Sequence, residues 1–247
     1  MLPLFRIIFQ TGRRSTMPSE NTTVPASGGG NIPTYISTPE SGGGPGVVII
    51  PSIMGVASDI VDWADRLAAE GFVVSATDPF WRDEDAGNLE GQENARERGH
   101  ARMGRVDQDQ NMSDLEALLD DLKARPECNG KVAVMGFCFG GSYAFLGAAR
   151  LGTGAGIAFH SGKISHLLDE AGNVNCPLSY HWGDDDAAAP MDEIEKVQAV
   201  FASMENAEVT VYPGGKHGFM QPTNPPAYDE AIATASWNRA LEILKGL

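Results

Sequence analysis

Residues 131–152 constrain the fold of this chain more than any other segment. They read KVAVMGFCFGGSYAFLGAARLG, which is an apolar β-branched run, a glycine-containing turn and a run of small residues. This pattern predicts a buried strand, a tight turn and a helix. Gly136 and Gly140 stand two residues to either side of Cys138, which is the spacing of a nucleophile elbow. Glycines at these positions let the strand and the helix approach closely while the tip of the turn stays exposed.

Cys138 has two interpretations at this point. At the N-terminus of the predicted helix, unpaired N–H groups and the helix dipole favour a negative charge, an arrangement that activates cysteine thiols. The alternative is a buried structural cysteine behind a core strand, because free cysteine is among the most buried residue types. The choice depends on whether the chain also supplies a base and an acid.

The rest of the chain alternates apolar runs with amphipathic segments. Strands are predicted at residues 32–38, 46–51, 71–76, 155–159, 177–182 and 208–212, the first of them at a sheet edge. Helices are predicted at residues 58–70, 103–123, 191–204 and 227–244, and residues 80–100 are predicted to be irregular. This alternation is typical of an α/β fold, a mostly parallel sheet with helices on both faces. We predict a single α/β domain over residues 17–247.

Residues 1–16 differ from the acidic body of the chain, because they contain Arg6, Arg13 and Arg14 and no acid. Three interpretations are open: an organellar transit peptide, a short secretory signal, or sequence upstream of a true start at Met17. The apolar stretch is interrupted by Arg6 and lacks a small-residue cleavage site, so secretion is the weakest of the three. We expect a dispensable leader or a misassigned start, without ordered structure.

The composition argues against several functional classes. The formal net charge is −15, and an acidic surface repels phosphate backbones, so we expect no nucleic-acid partner. No apolar run approaches the ~18 residues of a membrane span, so we expect no membrane partner. Three cysteines are too few and odd in number for a disulfide framework, which favours a reducing, cytoplasmic location, or an organellar one if residues 1–16 are a transit peptide. No cluster has metal-ligand spacing, and we predict no cofactor and a monomer or homodimer.

A nucleophile on an elbow requires an acid and then a histidine further along the chain. Asp184, Asp185 and Asp186 follow the strand predicted at residues 177–182, and His217 follows the last predicted strand in a Gly-rich loop. Functional groups gather at the carboxyl ends of parallel strands, so these residues are expected to meet near the elbow. The spacing alone does not choose among the three aspartates.

The other four histidines are weaker candidates for the base. His100 precedes a predicted helix, and His166 lies on a predicted surface helix. His181 lies inside a predicted strand, where we expect a core residue with satisfied hydrogen bonds. His160 ends a strand and is placed to line the mouth of the pocket. For His217 itself, the alternative is an ordinary histidine of a surface loop.

Three segments resemble the dienelactone hydrolase (carboxymethylenebutenolidase) family. They are the elbow GFCFGG around Cys138, the glycine and aspartate of Gly183-x-x-Asp186, and GKHGF around His217. The resemblance covers roughly residues 46–247 and implies the α/β-hydrolase fold. It also selects Asp186 as the acid, because the separations of Asp186 and His217 from Cys138 look like those of the family.

The same resemblance extends to residues 51–56, the loop after the first parallel strand. In the family this segment supplies one N–H of the oxyanion hole, which here falls on Ile53. The second N–H is that of Phe139, the residue after the nucleophile. Acyl transfer requires such a pair of donors to hold the developing oxyanion.

The chain departs from the family pattern at two positions. Ser52 stands where the family has a glutamate that holds and activates the thiol, and Gln221 stands where the family has the second of two substrate-binding arginines. Arg96 matches the first arginine. A neutral amide cannot replace a bidentate arginine without loss of charge recognition. The resemblance therefore implies that the hydrolase chemistry carries over better than the dienelactone substrate.

These observations predict an enzyme that hydrolyses a small-molecule lactone or ester through Cys138, His217 and Asp186, by way of a thioester acyl-enzyme. Because Ser52 replaces the glutamate, we expect the thiol to pair directly with His217. Two alternatives remain: a non-catalytic binding protein of the same fold, and a redox-active thiol. The second has no resolving cysteine nearby in sequence, although Cys128 and Cys176 are further thiols that the fold can bring closer.

Overall fold

The computed structural model describes residues 17–40 and 42–247, and the leader predicted at residues 1–16 lies outside them. Within these ranges eight strands form one sheet in the order β1-β2-β4-β3-β5-β6-β7-β8. The strands are β1 (Ser19–Pro25), β2 (Asn31–Ser37), β3 (Gly44–Ile50), β4 (Val73–Thr77), β5 (Cys128–Phe137), β6 (Gly156–Phe159), β7 (Leu178–Asp185) and β8 (Ala207–Lys216). Strands β3 to β8 pair in parallel. Strand β1 pairs antiparallel with β2, and β2 pairs antiparallel with β4. The predicted mostly parallel sheet is confirmed.

Helices cover both faces of this sheet, as predicted. They are α1 (Ser58–Ala69), α2 (Ala95–Met103), α3 (Gln108–Ala124), α4 (Gly141–Arg150), α5 (Met191–Phe201) and α6 (Glu230–Leu244), with 3-10 turns at Cys138–Gly140 and Ile164–Asn173. One apolar cluster joins the sheet to α3, α4 and α5 through residues such as Leu118, Phe145 and Ile194. A second joins it to α1 and α6 through Trp63 and Trp237, whose ring centroids lie 4.6 Å apart.

The position of the first strand is a correction to the sequence prediction. The strand predicted as an edge at residues 32–38 is β2, which has β1 on one side and β4 on the other. The edge strand on this side of the sheet is therefore β1, and β8 forms the other edge. Its sequence lies in a Ser-, Thr- and Pro-rich segment, and only Val24 of its seven residues is buried, so it shows no apolar alternation.

The helix predicted at residues 103–123 is confirmed as α3 over most of its length, but α3 begins only at Gln108, and Met103 is the last residue of the separate helix α2. Helix α2 lies largely within the segment predicted to be irregular, and only Gly99 and Arg102 of its residues are buried. A helix without an apolar stripe gives no periodic signal. Helix α3 begins after Asp107, whose side chain accepts a hydrogen bond from the N–H of Gln110.

Strands β7 and β8 continue past the predicted ends at residues 182 and 212. Their pairing extends to Asp185 opposite Lys216, after a register shift beyond Gly183. Here Gly183 approaches Gly215 so closely that an added Cβ would lie 1.9 Å from the Gly215 carbonyl oxygen. The residues that follow the two strands are consequently brought side by side.

Candidate active site

The elbow has the predicted form of a strand, a tight turn and a helix. Cys138 lies in the turn between β5 and α4 and has a φ of +54°, a conformation that is strained for a residue with a side chain. A Cβ on Gly136 would lie 2.1 Å from the carbonyl oxygen of Gly140, and a Cβ on Gly140 would lie 1.9 Å from that of Ile50. Neither position has room for a side chain, so the glycine spacing follows from the contact between backbones.

Cys138, His217 and Asp186 form a continuous chain of contacts. The Cys138 Sγ lies 3.0 Å from His217 Nε2, and His217 Nδ1 lies 3.0 Å from each Asp186 carboxylate oxygen. The Asp186 carboxylate also accepts hydrogen bonds from the N–H groups of Ala188 and Ala189, at 2.8 and 3.0 Å. Its side chain is buried, which holds the carboxylate in one orientation.

Asp184 and Asp185, the other two aspartates of this segment, are exposed. Asp184 accepts a hydrogen bond from the Gly214 N–H at 2.6 Å and so supports the turn before His217. Of the three, Asp186 is the aspartate that contacts the histidine.

The electrostatics of His217 favour its protonated form. Burial of the ring lowers its pKa, but hydrogen bonds to Asp186 and Cys138, together with their negative charges, outweigh that effect. The pKa of His217 is raised to about 10 as a result. The protonated ring lies with Nε2 3.0 Å from the Cys138 sulfur atom, within hydrogen-bond distance of it.

The loop after β3 lies beside the elbow. Ile50, the last residue of β3, is in register with Gly136 of β5, so Ile53 and Cys138 lie at the carboxyl ends of adjacent parallel strands. Ser52 shapes this loop, because its Oγ accepts a hydrogen bond from the Met54 N–H at 3.2 Å. The Ile53 N–H has no acceptor within the described part of the chain.

Phe139, the other residue predicted to supply an oxyanion-hole N–H, is half-buried and follows Cys138 directly. Its ring centroid lies 4.9 Å from that of Phe80 and 5.3 Å from that of Tyr143. The turn after Cys138 is thus packed against Phe80, in the segment after β4, and against Tyr143, in the first turn of α4.

The structure brings Ser52 and Gln221 into contact, whereas Arg96 forms no hydrogen bond with either of them. Gln221 Nε2 donates a hydrogen bond to Ser52 Oγ at 3.3 Å, so two neutral side chains meet across the site. Arg96 lies on the exposed side of α2, and no hydrogen bond or ion pair of its side chain is found among residues 17–40 and 42–247. The three predicted substrate-binding residues thus form one neutral pair and one exposed cation.

The prediction for His160 is wrong, because its side chain has no exposed surface and does not line a pocket mouth. Its ring lies edge-on to that of His217, with centroids 5.0 Å apart, and neither ring nitrogen has a hydrogen-bond partner among the described residues. Burial and the charge of His217 lower the pKa of His160 well below its ordinary value. His160 is therefore a neutral ring packed against His217. Its position in the sequence gave no sign of this contact.

The prediction that His181 is a satisfied core residue is confirmed. Its ring is buried, with Nε2 3.1 Å from Ser179 Oγ and Nδ1 3.1 Å from the Tyr212 hydroxyl. Burial lowers the pKa of His181 to about 4. Between about pH 4 and about pH 10, His181 is therefore neutral while His217 is charged.

Neither a metal site nor a membrane span is found in residues 17–40 and 42–247. No three or more His, Cys, Asp or Glu side chains there are grouped to hold a metal ion. None of the helices in these ranges combines the length and the apolar composition needed to cross a membrane. Cys128, Cys138 and Cys176 are all free thiols.

The strand order, the elbow after β5 and the acid and histidine after β7 and β8 define an enzyme of the α/β-hydrolase class. The model of the dienelactone hydrolase family matches residues 32–247. This chain belongs to the dienelactone hydrolase family, and it is a hydrolase of carboxylic ester bonds. The match begins before residue 46, where the resemblance of the sequence motifs begins.

Several characterised and solved proteins are similar to it. Carboxymethylenebutenolidase 1 of Cupriavidus pinatubonensis is 28% identical over 231 residues, which cover 92% of this chain and 97% of that protein. A Klebsiella pneumoniae structure, solved as a candidate dienelactone hydrolase, has a TM-score of 0.83 at 26% identity and covers 94% of this chain and 99% of its own. A dienelactone hydrolase-like promiscuous phosphotriesterase from metagenomic libraries has a TM-score of 0.76 at 26% identity, with 93% and 98% covered.

Proposed function

We propose that this enzyme hydrolyses a lactone or a small ester through a Cys138–His217–Asp186 triad and a thioester acyl-enzyme. The observation that carries the proposal is the 3.0 Å contact between Cys138 Sγ and His217 Nε2, with His217 Nδ1 held by Asp186. Nucleophile, base and orienting acid in hydrogen-bond reach of one another are the pattern of covalent acyl transfer.

In the first half of the reaction, the Cys138 thiolate attacks the carbonyl carbon of the substrate. The N–H groups of Ile53 and Phe139 hold the negative charge that develops on the carbonyl oxygen. The ester C–O bond then breaks, and the His217 imidazolium protonates the leaving alkoxide or enolate. The raised pKa of His217 supports this order, because the proton is already on the ring before attack.

In the second half, neutral His217 removes a proton from a water molecule. The resulting hydroxide adds to the thioester carbonyl, and collapse of the tetrahedral intermediate expels the Cys138 thiolate and releases the acid. The enzyme returns to its thiolate–imidazolium state. Asp186 keeps Nδ1 protonated throughout and thereby presents Nε2 to the reacting atoms.

The substrate class that fits the recognition residues is an uncharged lactone or ester. The Ser52–Gln221 pair is neutral, and Arg96 is exposed on α2. A carboxylated substrate would have to lose much of its hydration at this pair without a counter-charge in return. An uncharged acyl compound carries no such penalty.

Hydrolysis of a small panel tests the proposal. The substrates are p-nitrophenyl acetate and butyrate, a neutral lactone and a carboxylated dienelactone, each with wild type, Cys138→Ala and the control Cys128→Ala, which removes a different free thiol. We expect cleavage of the neutral compounds by wild type and Cys128→Ala, and loss of cleavage in Cys138→Ala.

Each other outcome has a distinct meaning. Undiminished hydrolysis by Cys138→Ala would refute the triad. Equal cleavage of the carboxylated dienelactone, lost in the mutant, would show that Arg96 suffices for the carboxylate and that the proposed substrate preference is wrong. No cleavage of any compound would favour the binding-protein alternative, and thiol titration under peroxide would then test the redox alternative.

A further inference from the structure

A buried arginine stands against the loop that follows β3. Arg102, in α2, has no exposed surface, and its guanidinium carbon lies 4.4 Å from the centroid of the Phe80 ring. A buried cation is unfavourable unless its charge is paired and its N–H groups are bonded. The partners of Arg102 therefore indicate what the burial achieves.

The guanidinium donates to three carbonyl oxygens in two segments. Nε and Nη2 both donate to the Ile53 carbonyl oxygen, at 3.2 and 2.8 Å. Nη1 donates to the carbonyl oxygens of Asp85 and Gly87, at 2.9 and 2.8 Å. The counter-charge is Asp78, whose Oδ2 lies 3.7 Å from Nη1.

These contacts hold Ile53 from its carbonyl side. Gly99 lies one turn earlier in α2, beside the same oxygen. A Cβ added to Gly99 would lie 2.9 Å from the Ile53 carbonyl oxygen. The Ile53 side chain is itself buried, and its N–H has no acceptor within the described ranges. The carbonyl group and the side chain of Ile53 are thus held by contacts, whereas the N–H that the proposed mechanism uses has no partner.

We propose that Arg102 is a positioning residue that fixes Ile53 so that its N–H meets the acyl oxyanion. The inference rests on the proposed acyl-transfer function. Lysine cannot take this role, because a single ammonium lacks the planar fork that donates two bonds to one oxygen and two more to the opposite side. Loss of the fork would free the Ile53 loop without touching Cys138 or His217.

Two rates measured on the same enzyme test this role. Acylation is followed as p-nitrophenolate release from p-nitrophenyl acetate in single turnover with enzyme in excess, and it needs the oxyanion hole. Alkylation of Cys138 by iodoacetamide needs only the thiolate. For Arg102→Lys we expect acylation about 100-fold slower, as for loss of one oxyanion donor, with alkylation within about twofold of wild type. The control Arg105→Lys, which alters an exposed ion pair with Asp83, is expected to change neither rate.

A second variant covers the case in which Arg102→Lys does not fold. Gly99→Ala keeps the guanidinium and favours the helix, but its methyl group pushes the Ile53 carbonyl, so the same split between the two rates is expected. The control is Gly104→Ala, whose nearest contact would be an ordinary 3.4 Å.

Three results would overturn the inference, and each points to a different cause of failure. Unchanged acylation in both variants, with normal acylation of wild type, refutes the role of Arg102 alone. An equal fall of acylation and alkylation shows a general disturbance of the site and also refutes it. If wild type releases no p-nitrophenolate beyond Cys138→Ala, the proposed function fails and the inference fails with it.

Discussion

The two sides of Cys138 are held in place by different forces. On the side of the elbow, strand, turn and helix are fixed by direct contact between backbones, since Gly136 and Gly140 leave no room for a side chain. On the side of the β3 loop, Ile53 is fixed by hydrogen bonds from the buried Arg102. Adding a methyl group tests the first constraint, and removing the guanidinium fork tests the second.

The residues proposed for the chemistry and those matched to substrate recognition also differ in charge. Cys138, His217 with its raised pKa and the buried carboxylate of Asp186 form one chain of contacts. Ser52 and Gln221 form a neutral pair, and Arg96, the one charged residue of the three matched to recognition, is exposed on α2. The comparison suggests that reaction and specificity can be changed separately.

The largest effect is expected from Asp186→Asn. The amide no longer holds the required tautomer of His217, so kcat should fall about 10⁴-fold. Steady-state hydrolysis of p-nitrophenyl acetate measures it. Asp185→Asn changes the exposed neighbour and is expected to leave kcat unaltered. Similar losses in both variants would contradict the assignment of Asp186.

Gly140→Ala tests the steric side directly. The new methyl group would lie 1.9 Å from the Ile50 carbonyl oxygen, so strand and helix must move apart. We expect the free energy of unfolding to fall by about 3 kcal/mol or more. Urea denaturation measures the change, with Gly172→Ala as the control, since a Cβ there meets nothing within 4 Å. Equal stability of the two variants would show that the elbow tolerates separation.

The protonation of His217 offers a third test, by NMR of ¹³C-labelled histidine. In wild type the His217 signal should titrate with a pKa near 10, and in Asp186→Asn this pKa should fall, because the variant loses the carboxylate whose hydrogen bond and charge favour the imidazolium. His181 should stay neutral until the pH approaches about 4. His217→Gln assigns the signal. A wild-type His217 that titrates near 6.5 would contradict the thiolate–imidazolium state.

The smallest effect is expected on the recognition side. Ser52→Glu combined with Gln221→Arg restores two charges, and we expect kcat/KM for a carboxylated lactone to rise about tenfold relative to a neutral lactone, which corresponds to about 1.4 kcal/mol. Ser52→Glu with Gln221→Lys is the matched control, because a point charge lacks the fork that grips a carboxylate and should gain less. An unchanged ratio would place substrate recognition elsewhere.

Sequence reasoning was most successful where the signal is local. The apolar run, the two glycines and Cys138 predict strand, turn and helix because those residues determine the local backbone. It was weaker for α2, a polar helix held by long-range contacts, and for β1, a polar edge strand. Propensity and periodicity carry little information when an element has no apolar face.

By itself, the sequence determined the α/β class, the elbow and the chain order of thiol, acid and histidine, since each depends on residue type and spacing. Only the tertiary structure decided that Asp186 contacts His217, that His160 is buried against the base, and that Arg102 grips the Ile53 carbonyl. These contacts join residues from different strands and helices. Their formation depends on the register of β7 with β8 and on the packing of α2 over the β3 loop, which no local pattern specifies.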